Sequence, residues 1–210
     1  MPETASSVSP KPLEFYFDFL SPFGYFASLR IDELGARHQR EVVWKPMLLG
    51  ISVLKVMGMR PIFDTPLKGQ YIRHEALRYM RQYRLTVQRA LITPTMNPLP
   101  VARLFAWLSQ HQPQLAKPFA RAAYDAYWQH NIDICTPETL APVAHAAEVP
   151  AATFATAIAD PNAARLLRTA LDTALARGVF GSPFFLVDDE PFFGCDKLEL
   201  VDEWLARGGW

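Results

Sequence analysis

Strand-like segments occur only near the two ends of this 210-residue chain, and this constrains the fold more than any other feature. Residues 13–19 (LEFYFDF) and 41–47 (EVVWKPM) are short and rich in aromatic and β-branched residues, and a helical pattern over 22–38 lies between them. Residues 183–189 and 190–195 predict the two strands of a hairpin, which a helix ending at glycines follows. The ends therefore predict a β-α-β unit and a β-β-α unit that share one sheet.

The long interval between these units has no strand-like pattern. Leu, Ala, Met and Arg recur there at three- and four-residue spacing, and prolines stand where helices are expected to begin. The segments with a helical pattern are 68–83, 98–111, 114–130, 137–147, 151–159 and 161–177. We therefore predict an α/β, thioredoxin-like fold in which 13–49 and 178–210 form the sheet-containing domain, 50–177 an all-helical insertion, and 1–12 a disordered tail.

Composition excludes several classes of function. Lys and Arg total 21, and so do Asp and Glu, so no net positive charge favours a nucleic acid or an anionic membrane surface. No apolar run reaches the roughly 18 residues that span a bilayer, and the first residues, MPETASSVSPKP, lack the basic and apolar regions of a signal peptide. We expect a cytoplasmic protein with neither a nucleic-acid nor a membrane partner.

Cysteine and histidine show no site pattern. Cys135 and Cys195 have neither C-x-x-C nor zinc-type spacing, and two cysteines are too few for a disulfide framework. The five histidines lack the i, i+4 spacing of a metal pair on a helix. We therefore predict no metal site.

A serine and a proline stand at the junction between the first predicted strand and its helix. Ser21 at the N-cap and Pro22 at the next position are favoured in ordinary helix starts, so the pair has a purely structural explanation. A helix start is also a place where a thiolate is stabilised. A thioredoxin-type redox enzyme carries C-x-x-C here, whereas this chain has Ser21-Pro22-Phe23-Gly24 and cannot form a disulfide there. Any thiol that acts at this place comes from a ligand.

Two further motifs lie near the C-terminus. The turn Gly181-Ser182-Pro183 leads into a predicted strand, as does the cis-proline loop of thioredoxin-like proteins; a simple trans turn is the alternative. A cis bond would leave the N–H and C=O of Ser182 free to pair with an extended ligand. At the start of the last helix, backbone N–H groups near Cys195 and the carboxylate of Asp196 are suited to an amino-acid-like group, although Asp196 has a plain N-cap explanation as well.

Four segments carry a family resemblance, and they are FYFDFLSPFGYFA, WKPMLLG, PLKGQY and GVFGSPFFLVDDEPFFGCDKL. They resemble the 2-hydroxychromene-2-carboxylate isomerases, which share their fold with the kappa-class glutathione transferases and the wider DsbA-like group. The resemblance covers residues 13–205, and its most specific parts are the Asp-x-x-Ser-Pro start and the Gly-Val-Phe-Gly-x-Pro to Phe-x-Gly-x-Asp-(Lys/Arg)-Leu end. It implies glutathione as cofactor, a small aromatic carboxylate as substrate, a role in aromatic catabolism and a homodimer.

The resemblance also implies roles for individual residues near the two most specific motifs. Ser21 matches the serine that hydrogen-bonds the glutathione sulfur, and we assign it the catalytic role of stabilising the thiolate. Ser182, before Pro183, matches the residue whose backbone pairs with the cysteinyl moiety. Cys195 and Asp196 match positions that hold the γ-glutamyl end of glutathione.

Two further positions follow from the same resemblance. Lys68, in PLKGQY, matches a family lysine near the glutathione site. Met59 stands where the kappa enzymes have a glutathione-contacting asparagine, and a methionine cannot donate that hydrogen bond. Cys195 also replaces a frequent Ser or Gln. We therefore expect weakened glutathione binding.

The resulting hypothesis is a glutathione-dependent isomerase that interconverts 2-hydroxychromene-2-carboxylate-type and trans-o-hydroxybenzylidenepyruvate-type compounds. Phe19, Phe23 and Tyr25 are candidates to line the aromatic acceptor site, although aromatics at such spacing are also typical of a core. One alternative is a kappa-like transferase or peroxidase that consumes glutathione. The other is a non-catalytic thioredoxin-like binding module, which the loss of the redox cysteines permits.

Overall fold

A computed structural model of the protein describes residues 11–210. Its strands are β1 (Leu13–Phe17), β2 (Val42–Pro46), β3 (Phe184–Val187) and β4 (Glu190–Phe193). They form one sheet in the order β2-β1-β3-β4, in which β1 is parallel to β2 and antiparallel to β3, and β3 is antiparallel to β4. Both ends of the chain therefore contribute to a single sheet, as predicted.

The central strand β1 is buried on both faces. Side chains alternate along a strand, so Phe15 and Phe17 point to one face while Tyr16 points to the other. The Phe15 ring stacks on Phe185 of β3 at 5.7 Å and meets Trp44 of β2 edge-on at 5.0 Å. Helices cover both faces, which explains why LEFYF shows no alternation of apolar and polar residues.

Two short helices, α1 (Pro22–Ser28) and α2 (Ile31–Arg37), connect β1 to β2, so the single helix predicted over 22–38 is wrong. The Ser28 hydroxyl donates to the Tyr25 carbonyl at 2.7 Å, which is the acceptor that a continuous helix would offer to the Leu29 N–H. Arg30 then leaves the helical region with φ −124°. The helical backbone of α1 ends at Ser28 and resumes at Ile31 in α2.

The middle of the chain, residues 50–177, contains helices, turns and loops but no strand. Its helices are α3 (Lys68–Tyr83), α4 (Leu99–His111), α5 (Pro113–Tyr124), α6 (Pro137–Ala146), α7 (Ala151–Ala159) and α8 (Asn162–Ala176), with wider π-type turns at Gly50–Val56 and Asp125–Gln129 and a 3-10 turn at Ile62–Asp64. A proline stands at or beside the first residue of each helix from α4 to α8, as predicted. The last of these helices covers the sheet face that carries Tyr16.

The predicted fold class, α/β and thioredoxin-like with a helical insertion, is confirmed, since all four strands lie outside 50–177. The boundaries of the two domains stay a prediction. Apart from Lys11 and Pro12, the predicted tail lies outside the described residues. A 3-10 turn (Cys195–Lys197) leads into α9 (Leu198–Arg207), which ends at Gly208 in the left-handed region, with φ +76°.

Sheet topology fixes the position of the candidate site. Because β1 and β3 are antiparallel, the end of β1 lies beside the start of β3, with Tyr16 paired to Phe184. The parallel strand β2 ends at the same edge, with Phe17 paired to Pro46. The residues that follow β1, those that precede β3 and those that follow β2 are therefore neighbours.

No helix within residues 11–210 combines the length and the apolar character that crossing a membrane requires.

Candidate active site

Ser21 lies at the start of α1 and is 3% exposed. Its Oγ accepts a hydrogen bond from the Gly24 N–H at 3.0 Å, so it is the N-cap that the sequence predicted. The same hydroxyl donates to the backbone carbonyl of Ser182 at 2.8 Å. Besides capping α1, the Ser21 hydroxyl therefore connects α1 to the loop that precedes β3 through a second hydrogen bond.

The Ser182–Pro183 peptide bond is cis, which excludes the trans alternative. The Oγ of Ser182 accepts from the Asp18 N–H at 2.9 Å, and the Pro183 carbonyl accepts from the Gly194 N–H at 3.0 Å. The expectation that the Ser182 carbonyl is free is wrong, because the Ser21 hydroxyl occupies it. A ligand that uses this carbonyl has to share it with Ser21 or replace Ser21.

Asp18 is a second residue that holds the cis-proline loop, and it is only 2% exposed. Its two carboxylate oxygens accept from the N–H groups of Leu20 at 2.8 Å and Leu49 at 2.7 Å, and its carbonyl accepts from the Tyr124 hydroxyl at 3.1 Å. Burial raises the pKa of the Asp18 carboxyl to about 6, although both N–H donors act in the opposite direction. Asp18 thus ties the loop after β1 to the chain beyond β2, to the cis-proline loop and to α5.

Gly24 is the point at which three of these groups converge. A Cβ atom at this position would lie 2.7 Å from the Ser182 Oγ, 2.8 Å from the Tyr124 hydroxyl oxygen and 3.2 Å from the Ser21 Cβ. Those distances leave no room for a side chain, so glycine permits the close approach of α1, α5 and the cis-proline loop. We call Asp18, Ser21, Gly24, Tyr124 and Ser182 the serine cluster.

Three members of the serine cluster were not among the site residues predicted from the sequence. Asp18 belongs to the Asp-x-x-Ser-Pro motif, so a signal for it was present. Gly24 also stood next to the motif, but only the tertiary structure shows what its missing side chain permits. Tyr124 lies about a hundred positions away, at the end of α5, and no local pattern marks it.

The turn Cys195–Lys197, which we call the Cys195 segment, packs against α1. The Cys195 side chain is buried, and burial raises the pKa of its thiol to about 12. The Asp196 side chain, by contrast, is exposed and forms an ion pair with Lys197. The alternative in which Asp196 merely caps the last helix is wrong, since Lys197 precedes α9 and has no capping side-chain bond.

Tyr79 connects α3 to the Cys195 segment. Its hydroxyl donates to the Cys195 carbonyl at 3.5 Å, and its ring stacks on Phe26 of α1 at 5.2 Å. Arg30, from the break between α1 and α2, donates to the Tyr79 hydroxyl at 3.2 Å and to the Glu199 carboxylate at 2.8 Å. Contacts from α3, from the α1–α2 connection and from α9 thereby hold the Cys195 segment beside α1.

The structure joins only some of the predicted site residues. Ser21, Ser182 and Pro183 meet directly, and Asp196 lies on the neighbouring segment. Lys68 is the exposed first residue of α3, and Met59 is an exposed residue of the chain that leads to it. No hydrogen bond or ion pair within the described part of the chain connects either side chain to the serine cluster, so their roles stay predictions.

The candidate acceptor-site aromatics need a correction. Phe19 and Tyr25 are both core residues: the Phe19 ring meets Phe17 and Phe105 edge-on, and the Tyr25 ring packs on Tyr124 at 5.6 Å. Their burial among other rings prevents them from lining an open acceptor site. Phe23 is only partly buried and stays a candidate.

Known proteins resemble this chain in sequence and in fold. The family model described as "DSBA-like thioredoxin domain" matches residues 12–206. The chain is 28% identical to a 2-hydroxychromene-2-carboxylate isomerase of Sphingobium xenophagum, over 93% of this chain and 98% of that protein. It is 23% identical to glutathione S-transferase kappa 2 of Caenorhabditis elegans, over 94% of this chain and 92% of that protein.

A solved structure agrees with these relatives. The structure of a 2-hydroxychromene-2-carboxylate isomerase superposes with a TM-score of 0.77 and 21% identity, covering 93% of this chain and 94% of that one. These similarities confirm the resemblance drawn from the sequence motifs. Because the family model extends over nearly the whole chain, the protein belongs to the family of DSBA-like thioredoxin domains.

Proposed function

We propose that the protein is a glutathione-dependent isomerase that interconverts 2-hydroxychromene-2-carboxylate-type and trans-o-hydroxybenzylidenepyruvate-type compounds. One observation carries the proposal: a serine hydroxyl, bonded to the cis-proline loop, stands where a dithiol enzyme of this fold has its first cysteine. Without protein thiols at that position the chain cannot carry out dithiol chemistry there. The same position can still bind the thiol of a ligand. The relative named as an isomerase supports the choice of reaction.

The groups at the site fit a peptide that carries a thiol. The Ser21 hydroxyl is able to donate to a thiolate, the Ser182 backbone is able to pair with an extended chain, and the exposed Asp196 carboxylate is able to accept from an ammonium group. Bound glutathione would supply a thiol that adds reversibly to a conjugated carbon and allows rotation about the former double bond. The Cys195 thiol does not compete for this role, because it is buried and its pKa is high.

The chain's own residues prepare the place where the sulfur would lie. Ser21 donates its proton toward the sulfur and so favours the charged form of the thiol. Ser182 orients the cysteinyl part through its backbone, and Asp18 with Gly24 holds Ser182 against α1. Because Ser21 and Ser182 are both buried, their hydrogen bonds act in a region from which water is largely excluded and are therefore strong.

The test is isomerisation of 2-hydroxychromene-2-carboxylate, followed by the change in its absorbance spectrum with and without reduced glutathione. We expect acceleration that requires glutathione and leaves its concentration unchanged. Net consumption of glutathione would instead support the kappa-like transferase, a candidate that the kappa relative favours. Absence of any thermal stabilisation at ~10 mM glutathione would favour the binding module, since a hundredfold excess over Kd stabilises by about 2.7 kcal/mol.

The proposal includes a homodimer in the cytoplasm. The chain between β2 and α3 exposes apolar side chains that a second copy would cover, among them Val56 (62% exposed) and Leu67 (91% exposed). Both cysteines are free thiols, as is typical of a reducing compartment. Sedimentation at micromolar concentration checks the assembly, and a species of monomer mass alone would contradict it.

A further inference from the structure

The Ser21 hydroxyl has a single proton, and its position follows from the hydrogen bonds. The Gly24 N–H donates to the Ser21 Oγ, so that oxygen is the acceptor in one bond. In the other, the Ser182 carbonyl can only accept, so the hydroxyl proton lies between the Ser21 Oγ and the Ser182 oxygen, which are 2.8 Å apart. For Ser21 to donate to a sulfur atom, this proton has to leave the carbonyl.

Moving the proton leaves the Ser182 carbonyl without its donor. Ser182 is 8% exposed, and a buried carbonyl that loses its partner costs free energy. Movement of the loop does not relieve the cost easily, because the Asp18 N–H holds the Ser182 Oγ and the Gly194 N–H holds the Pro183 carbonyl. Only another donor at the carbonyl compensates for the loss.

We infer that the Ser182 carbonyl is a specificity-determining group that couples thiol activation to an N–H on the ligand; this inference rests on the proposed function. A ligand whose amide N–H donates to the Ser182 carbonyl releases the Ser21 proton for its own sulfur. A thiol without such an N–H leaves Ser21 bonded to Ser182 and keeps its own proton. The site therefore activates peptide-like thiols selectively, by ionisation rather than by affinity.

The experiment compares two ligands that differ in one group. One is glutathione, and the other is its analogue in which an ester oxygen replaces the cysteinyl N–H, which removes the donor without adding bulk. The thiol pKa of each bound ligand is measured from the ultraviolet absorbance of the thiolate as pH is varied. For a ligand too weak to saturate the protein, the pH dependence of Kd gives the same pKa.

In the native protein, we expect the bound ester analogue to have a thiol pKa about one to two pH units above that of bound glutathione, as loss of one hydrogen bond to a thiolate requires. In Ser21→Ala, the two bound ligands should have equal pKa values, because no proton remains to be released. Ser28→Ala is the matched control: Ser28 is a buried serine of α1 whose hydroxyl, among the described residues, bonds only the Tyr25 carbonyl, and its variant should behave as the native protein.

The outcomes separate this inference from the proposed function. Equal pKa values for both ligands in the native protein would overturn the coupling, while glutathione-dependent isomerisation would still stand. An ester analogue that fails to bind at any pH would also overturn it, because the N–H would then act on binding itself. If glutathione itself fails to bind, the proposed function and this inference both fail.

Discussion

The serine cluster and the Cys195 segment both contact α1, yet they are built in opposite ways. In the serine cluster the polar groups are buried and bonded to one another, and one added carbon atom at Gly24 would collide with two hydroxyls. In the Cys195 segment the thiol is buried, whereas the Asp196 carboxylate reaches solvent. Under the proposed function, we expect the first region to set the ionisation of the ligand thiol and the second to affect only how strongly the ligand binds.

Replacement of Asp18 by asparagine tests how much the buried carboxylate governs the stability of the serine cluster, and we expect the largest effect here. The folded protein raises the pKa of Asp18 from 3.8 to about 6, so it holds this proton more tightly than the unfolded chain does. Protonated Asp18 therefore adds about 3 kcal/mol to the free energy of unfolding at low pH. This contribution is fully present below about pH 4 and is lost as the pH rises through about 6.

Asp18→Asn should abolish that part of the pH dependence. Urea unfolding of native and variant proteins between pH 4 and pH 7 measures it as the difference between the two profiles. Asp172→Asn, at an exposed position of α8, is the control and should leave the profile parallel to the native one. If the Asp18→Asn profile runs parallel to the native one, the Asp18 carboxylate is not the source of this pH dependence.

Replacement of Gly24 by alanine tests the close packing of the serine cluster. The new Cβ would lie within 3 Å of two oxygen atoms, so α1 or the cis-proline loop has to shift. We expect a loss of about 1–3 kcal/mol in the free energy of unfolding and a higher pKa of the bound thiol. Gly50→Ala is the control, because a Cβ there meets no atom within 4 Å. A native thiol pKa in Gly24→Ala would contradict the importance of this packing.

Replacement of Ser21 by alanine separates the two roles of its hydroxyl. Loss of the N-cap should lower the free energy of unfolding by about 1 kcal/mol. Loss of a hydrogen bond to a charged sulfur should in addition lower kcat about 10- to 100-fold, with a smaller change in the Kd of glutathione. Full turnover combined with a lower melting temperature would leave Ser21 with the capping role alone.

The smallest effect is expected in the Cys195 segment, from Asp196→Asn. Because the carboxylate is exposed, its attraction to an ammonium group is worth under about 1 kcal/mol. The Kd of glutathione should therefore rise less than about fivefold, while kcat at saturation stays native. Glu203→Gln, which removes an exposed ion-paired carboxylate of α9, is the control. A large fall in kcat for Asp196→Asn would erase the distinction between the two regions.

Local sequence patterns predicted the framework of the serine cluster well. The Ser21–Pro22 helix start follows from capping preferences, and the strands follow from short apolar runs bounded by turn residues. The proximity of Ser182 to Ser21 follows once β1 and β3 are placed side by side, whereas the hydrogen bond between them was not predicted. These features depend on residues near one another in sequence or on motifs with a defined place in the fold.

Other features depend on tertiary contacts that no local pattern encodes. The pattern over 22–38 continues past Leu29, but the backbone leaves the helical conformation at Arg30, with φ −124°. Phe19 and Tyr25 were candidates to line the acceptor site, yet rings from other elements cover both side chains. Tyr124 reaches the site only because α5 packs against α1 at a glycine.

The replacement of a reactive cysteine by Ser21 also has a consequence for oxidative stress. Peroxides attack thiolates, and an alcohol is inert to them under conditions that convert a cysteine to a sulfenic acid or a disulfide. The Cys195 thiol nearby stays protonated and shielded. The protein's own groups at the site therefore keep their chemical form when the surroundings become oxidising. Under the proposed function, oxidative stress would then act on the site only through the supply of reduced glutathione.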